Sequence, residues 1–587
     1  MLSWRFKEGV VKIGQFLMKI IIVAGIAVLA ILTVAFIWPR TASTIFRSFE
    51  RLMGCLGRRR ALAVLVVGML SIAINAFVTR WAGEAPPHIH DEFANLLAAD
   101  TFLHGRLANP SPKDWEFFES IHVLVTPVYA SKYPPMQGIM LAIGQGLTGH
   151  PVVGMWLSVA LACAAICWAL FAWLPPRWAV LGGLLAVFHP MLLKWGQVYW
   201  GGAEAMLGGA LVAGAVRYLV KRRQAGYAVA LAVGMVILAL SRPFEGLVLS
   251  LILVGFLLIW LLGNREMLGQ AELIQMAVPA AVVLGLWIGW QGYYNMRLTG
   301  NPAKLPYMVY EEQYAVAPFF IWQKPRPEPQ YRHEYIKRHF VDYAMKEYLA
   351  QQSIGGFLKQ TAVKIRRLGR DFLGRFYVLL VPLLALPWVV RRRGWPRVGL
   401  VAIVIFGLAL AQETWMWDRY AAPIGALFFL LVAWGFRHWS LWRCCGKPLG
   451  RIVVLLVVAG FLTQSALWIK VRKAELAKKD WEWQRAEIIK KLSSDGRQHL
   501  VFVRYPKVQA DPSEPSGQSV HNDWVHNGAD LISAPVLWVR DMGAEANRKL
   551  IQNYQGRVLW LLEAENRYDP PPNEIKPAVL RPYPDGR

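Results

Sequence analysis

The sequence predicts an all-α polytopic membrane protein of about 11–13 transmembrane helices, closed by a small C-terminal α/β domain on the extracytoplasmic side. Three observations carry this expectation. Of the 587 residues, 55% are hydrophobic and 17% charged, with mean hydropathy +0.33; a soluble chain carries about 25% charged residues. The charges fall between apolar runs, many of them long enough to cross a bilayer, for which roughly 17–25 residues are needed. Beyond residue 470 the pattern changes to short hydrophobic strands with a helix among them. Together these exclude a soluble enzyme, a disordered chain and a disulfide-rich secreted domain. The formal net charge of +26 fits basic cytoplasmic loops and contact with anionic lipid head groups. No nucleic-acid motif accompanies it, so no nucleic-acid partner is expected.

Residues 1–60 read as an N-terminal extension with one additional span at 19–38, either a signal anchor or a segment lying along the membrane. Residues 61–469 form the transmembrane domain, with spans expected near 61–79, 151–173, 177–194, 203–220, 226–241, 245–263, 273–291, 376–390, 398–412, 420–436 and 451–469. The run 135–148 is too short to cross and is placed as an interfacial or re-entrant helix, opened by Pro134-Pro135. The strongest basic turns are Arg58-Arg59-Arg60, Lys221-Arg222-Arg223, Arg391-Arg392-Arg393 and the stretch from Arg437 to Arg451. All fall on one side with these spans, which marks that side as cytoplasmic. The opposite side receives outer loops 80–150 and 292–375 and the C-terminal module 470–587. Between 80 and 133 acidic residues outnumber basic ones, as suits the outside. The five cysteines lie in spans or on the inner side, so neither a disulfide framework nor zinc spacing is implied.

The tail offers strands at 499–504, 536–540 and 557–562, with a helix over 543–553 between the last two. That order predicts a small parallel α/β module. Asp530 and Asp541 fall near strand ends, where open α/β sheets often bind ligands. The module reads either as an accessory domain over the active face or as a purely structural one.

The chemistry-bearing residues collect in the outer turns. The first loop reads His88-Ile-His90-Asp91-Glu92. An acidic pair just after a span sits at the membrane surface, where a carboxylate can take a proton from an attacking hydroxyl. The alternative is that Asp91 caps the following helix. His88, His90, Asp91 and Glu92 also offer mixed ligands to a divalent metal, with His88, His90 and Glu92 the metal candidates. Further along come Glu119 and His122, then Lys132-Tyr133-Pro134-Pro135-Met136-Gln137. Lys132 either pairs with a phosphate or snorkels from the interface. The turn Lys194 to Glu204 includes Tyr199 and Trp200, and Glu204 opens a span, where an ionisable group is a functional suspect. Arg242 either pairs with Glu245 or faces a phosphate. The late turn runs from Glu413 to Arg419-Tyr420. In the long outer loop, Tyr307, Tyr310, Glu311, Glu312 and Tyr314 have the aromatic and acidic character of a sugar site.

The order of these turns resembles the GT-C glycosyltransferases, in the branch of the protein O-mannosyltransferases and aminoarabinose-transferase-like enzymes (glycosyltransferase family 39-like). The matching features are Asp91-Glu92, the run Ala99 to Gly105-Arg106, Pro134-Pro135, the Gly149-His150-Pro151 turn, Glu204 where relatives more often have Asp, Arg242 where they often have Lys, and Arg419-Tyr420 where they have a His-Tyr type turn. The resemblance covers roughly residues 61–440. It implies an inverting transfer from a sugar on a polyprenyl phosphate to a lipid, glycan or protein acceptor at the outer face of a bacterial inner membrane. Asp91 would be the catalytic base, with Glu92 positioning substrate or sharing a cation. Lys132, Arg242 and Arg419 would hold the donor phosphate. His90, Arg106, His122, Tyr133, Gln137, Tyr199, Glu204 and Tyr420 would line the substrate site. The competing readings are a transporter or flippase of lipid-linked sugars, which should show broken polar helices at mid-membrane, and a non-catalytic envelope assembly protein.

Overall fold

The computed structural model describes residues 33, 36–267, 269–391, 394–478, 480–505, 522–564 and 578–584. The span expected at 19–38 lies almost wholly outside them. Directly after it comes an element that the apolar pattern did not announce, the helix Pro39–Arg58. Phe46 and Met53 on one face are buried, while Arg47, Arg51 and Arg58 are exposed. The buried face packs on the helices Pro176–Val187 and Leu449–Leu476. Such a two-faced helix suits an interface better than a bilayer core.

Among the described residues, seven helices are long and apolar enough to span a membrane: Arg60–Ala82, Val152–Trp173, Ala203–Arg222, Pro243–Gly263, Gln270–Thr299, Asp418–Leu441 and Leu449–Leu476. Four shorter apolar helices join them: Pro176–Val187, Ala225–Ser241, Leu380–Arg391 and Arg397–Leu410. The chain is thus a polytopic helical membrane protein with a small C-terminal α/β domain. Two expected spans are broken by proline, which lacks an N–H and displaces the residue before it from helical geometry. The run 177–194 stops at Val187, then restarts as Pro190–Trp195 after His189. The run 376–390 splits into Leu380–Leu383 and Leu386–Arg391, with Pro382 and Pro387 around the break.

Small residues set the closest helix contacts. A Cβ on Gly208 would lie 2.8 Å from the carbonyl oxygen of Gly234, and one on Gly234 would lie equally close to that of Gly208. This is the small-residue approach that membrane helices use in place of hydrophobic burial. Several of the basic turns are brought together by packing. Arg60 lies over Phe171, Arg217 over Trp395, and Arg223 pairs with Glu272 at 3.3 Å, so these basic turns share one end. The outer turns gather at the other.

At that other end, helix His90–Leu103 packs on helix Met136–Thr148, the interfacial element expected at 135–148. Three short strands complete the loop: β1 (Asn109–Pro110), β2 (Val123–Leu124) and β3 (Val128–Ser131), antiparallel in the order β1-β3-β2. The C-terminal module contains β4 (His499–Arg504), β5 (Val536–Arg540), β6 (Val558–Glu563) and β7 (Val579–Pro582), in the order β5-β4-β6-β7. The strands β4, β5 and β6 are parallel, as expected; β7 adds antiparallel to β6 and is too short to be seen in the sequence. Helix Ala544–Asn553 lies where a helix was expected. One face of the sheet (Leu500, Phe502, Leu537, Val539) forms a single core with Leu97, Phe118, Val123 and Tyr129 of the outer loop. The other face is covered by helix Trp481–Ser493.

Asp530 and Asp541 are occupied in turns rather than in a ligand site. Asp530 accepts from the backbone of Ile532 and Ser533, while Asp541 pairs with Arg504 and accepts from Gly543 N and Asn547.

Candidate active site

Helix His90–Leu103 starts after the extended Ile89, so the capping position belongs to Ile89 and Asp91 lies inside the first turn. Asp91 makes no cap bond; its carboxylate faces the outer turns. Tyr133 donates its hydroxyl to Oδ1 at 2.6 Å, Arg419 reaches the same oxygen at 3.4 Å, and His122 Nε2 stands 3.9 Å from Oδ2. Burial alone would raise the Asp91 pKa, but Arg419 and Tyr133 outweigh it and hold the group below the usual carboxylate range. His122 is placed by backbone in the left-handed region (φ 69°), a conformation costly for a non-glycine residue and typical of functional sites. Burial, reinforced by Lys132, keeps its imidazole neutral, well below its ordinary pKa.

Three cations surround this carboxylate, each seated on an aromatic face. Lys132 Nζ lies 4.5 Å from the ring of Tyr310 and 4.6 Å from that of Tyr307, and donates to Glu311 at 3.2 Å. Burial pulls the lysine below its ordinary pKa despite Glu311. Arg419 lies 3.6 Å over Trp200. Arg242 lies 4.4 Å over Tyr420 and 3.8 Å from Glu245, so its pairing with Glu245 is present but loose. An aromatic face fixes a cation in place without neutralising it; each of the three also has a carboxylate partner, Glu311, Glu245 or Asp91.

Glu92 is directed elsewhere. Its Oε2 accepts from His88 N at 2.8 Å and pairs with His88 Nδ1 at 2.9 Å, while Oε1 accepts from Tyr199 N at 2.9 Å. Burial would raise its pKa, but His88 and these backbone donors hold it low. Glu92 therefore fastens the first loop to the 199 turn and touches none of the three cations. The expected metal set His88, His90 and Glu92 is also corrected. The His-x-His pair straddles a helix start rather than lying in a strand, so His88 turns to Glu92 while His90 faces Tyr335 at 3.1 Å and the C-terminal module.

The remaining expected substrate residues divide. Tyr133, His122 and Tyr420 belong to the cluster. Gln137 and Tyr199 support it from behind: Gln137 reaches Tyr199 O at 3.4 Å and the Tyr199 hydroxyl donates to Glu84 at 2.9 Å. Glu204 is buried at the start of its span, with Ser158 and Arg242 as polar neighbours. Arg106 lies beyond the far end of helix His90–Leu103, towards Asp530, and is not part of the cluster. Glu311, Tyr307 and Tyr310 arrive from the helix Pro306–Tyr314 as the long loop's composition suggested. Glu413 is a buried carboxylate close to Arg242 and Glu245; burial and Glu245 push its pKa well up. Its sequence signal was only its place in the late turn.

Two cavities lie away from the cluster. A groove of about 620 Å³ opens between helices Arg60–Ala82 and Val152–Trp173 and carries mostly apolar walls. A smaller space of about 170 Å³ lies by Glu119, Gln313 and Tyr331.

No family model matches the sequence, and no curated protein matches it. Among solved structures, the chain is similar to ArnT from Cupriavidus metallidurans in the apo state, with TM-score 0.46 and 13% identity over 84% of this chain and 92% of that one. It is similar to the same protein bound to undecaprenyl phosphate, with TM-score 0.44 and 14% identity over the same shares. It is also similar to the archaeal oligosaccharyltransferase AglB from Archaeoglobus fulgidus in complex with an inhibitory peptide and a dolichol-phosphate, with TM-score 0.43 and 10% identity over 86% of this chain and 69% of that one.

Proposed function

We propose that this protein is an inverting membrane glycosyltransferase that moves a sugar from a polyprenyl-phosphate donor to an acceptor hydroxyl at the outer face of a bacterial inner membrane. The observation that carries the reading is Asp91 held 3.4 Å from Arg419, with Lys132 and Arg242 as further electrostatic neighbours. In this reading the acceptor hydroxyl loses its proton to Asp91 as its oxygen attacks the anomeric carbon. The bond from that carbon to the phosphate oxygen breaks, and the electron pair leaves with the lipid phosphate. A low pKa keeps Asp91 charged and ready, while the acceptor proton needs to transfer only as attack becomes advanced. The departing phosphate gains negative charge, and cations fixed beforehand lower that barrier without reorganising. Tyr133 and Arg419 orient the base, and Glu92 holds its helix start in register with the 199 turn. The basic turns then face the cytoplasm, and the C-terminal module lies in the periplasm.

The test is transfer in membranes supplied with a panel of radiolabelled polyprenyl-phosphate sugars, comparing wild type with Asp91→Asn. Label should reach an acceptor in wild type only, with the variant expressed at normal level. Equal transfer by both proteins would remove Asp91 as the base. Absence of transfer from every donor would shift the reading towards a transporter or an assembly protein.

A further inference from the structure

A second group of chemically capable side chains converges where the C-terminal module meets the outer loop. His90 comes from the first turn of the helix that carries Asp91, and Asp523 and His526 come from the segment leading to β5. One ligand-type atom from each lies within 4.8 Å of the others. His90 is 1% exposed, Asp523 0% and His526 5%.

The state of each group suits metal binding. His526 stacks on Phe93 with ring centroids 4.1 Å apart and planes 3° from parallel, which fixes its orientation. Its Nε2 is buried and makes no hydrogen bond. A buried nitrogen of this kind is costly to leave without a partner for its lone pair. Arg540 donates to Asp523 Oδ2 at 2.7 Å. Tyr505 donates to its Oδ1 at 2.7 Å, an orienting contact of the kind that metal-site carboxylates carry. Of the two nearby guanidiniums, Arg485 is engaged with the carbonyl oxygens of Trp524 and His526, while Arg540 holds Asp523 and the carbonyl of Glu119.

We propose that His90, Asp523 and His526 form a binding site for a borderline divalent transition metal of the Zn²⁺ type, clamping the C-terminal module onto the start of the Asp91 helix. Two imidazoles and one carboxylate are the donor set such ions prefer, at about 2.0–2.2 Å from each ligand. Mg²⁺ and Ca²⁺ prefer all-oxygen shells and fit it poorly. The clamp spans more than 400 positions of sequence, roughly 430 between His90 and Asp523, so it removes much freedom from the module. The proposal stands whether or not Asp91 is the base of a sugar transfer.

The test uses the full chain in detergent, stripped with a chelator and titrated with Zn²⁺ or Co²⁺. Wild type should bind about one equivalent, and Co²⁺ should give the visible absorption of a four-coordinate site. Bound metal should protect the linker near residues 470–480 from protease. His526→Phe keeps the stack on Phe93 and removes both nitrogens; it should weaken binding roughly 100-fold or more. His526→Cys, which restores a donor, should recover uptake and so separates ligation from misfolding. His88→Ala should bind like wild type. Absence of stoichiometric uptake by wild type would overturn the proposal, as would uptake that survives both His526→Phe and His90→Gln. Uptake lost in His88→Ala but kept in His526→Phe would also overturn it, moving the site to the first loop.

Discussion

At the scale of single residues, the cluster depends on buried ion pairs that cannot be broken singly. Lys132 and Glu311 are both buried and paired at 3.2 Å. Removing one partner of such a pair costs about 3–5 kcal/mol, because the other is left charged in a poor solvent. Lys132→Met alone should therefore lower both yield and transfer. The double variant Lys132→Met with Glu311→Gln should recover yield but leave transfer at least about 100-fold down, if the cation serves the leaving phosphate. Yield by fluorescence-detected chromatography and transfer by label read the two effects separately. Tyr133→Phe removes only the 2.6 Å donor to Asp91. It should leave yield unchanged and cut transfer by roughly tenfold, the worth of a hydrogen bond to a charged group.

At the scale of elements, the amphipathic helix Ile354–Leu373 ends beside the late outer turn. It is capped by Ser353, which accepts from Gly356 N at 3.0 Å. Near its C-terminus, burial and the neighbouring Asp418 raise Asp371 from the ordinary 3.8 to about 6. The folded state therefore binds this proton more tightly than the unfolded one. The contribution to stability is full below about pH 3.8 and is lost as pH rises through about 6. Wild type should gain from this site as pH falls from 7 to 5, and Asp371→Asn should flatten that part of the profile. The difference should be at most about 1 kcal/mol after allowing for partial exposure, read from thermal unfolding in detergent at both pH values. A slope unchanged by the substitution would mean that Asp371 does not carry it.

At the scale of the whole molecule, the C-terminal module is not a tethered appendage. Its sheet shares a hydrophobic core with the first outer loop. Polar contacts fix the register: Asp100 Oδ2 accepts from Ala529 N at 2.6 Å, Tyr129 donates to Asn527 O at 3.1 Å, and Arg540 donates to Glu119 O at 2.8 Å. A Cβ on Gly528 would lie 2.7 Å from Asp100 Oδ2. Asp100→Ala should weaken docking by about 1–3 kcal/mol, and Gly528→Val should do so by displacing Asp100. Both should show as faster proteolysis between the last span and the module while the membrane helices remain folded. Docked in this way, the module brings Asp523 and His526 within reach of the Asp91 helix, so the outer face acts as one body.

The sequence by itself determined the class of the molecule. Apolar run length fixes where helices can span, and the parity of the basic turns groups the outer turns at one end. Strand pattern marked three of the four strands in the tail. Asp91, Lys132, Arg242 and Arg419 were legible because an ionisable residue beside a span has few inexpensive places to be. Helix Pro39–Arg58 escaped because its apolar face is a stripe rather than a run, and strand β7 because four residues carry too little pattern. Adjacency in sequence says nothing of direction: two neighbouring carboxylates on a helix start diverge by about 100°, Asp91 to Arg419 and Glu92 to Tyr199. Only the tertiary structure decided which counter-ion each cation keeps, and only it brought His90 beside Asp523 and His526. Such pairings join residues hundreds of positions apart, and their partners are selected by packing, which leaves no periodic trace in the chain.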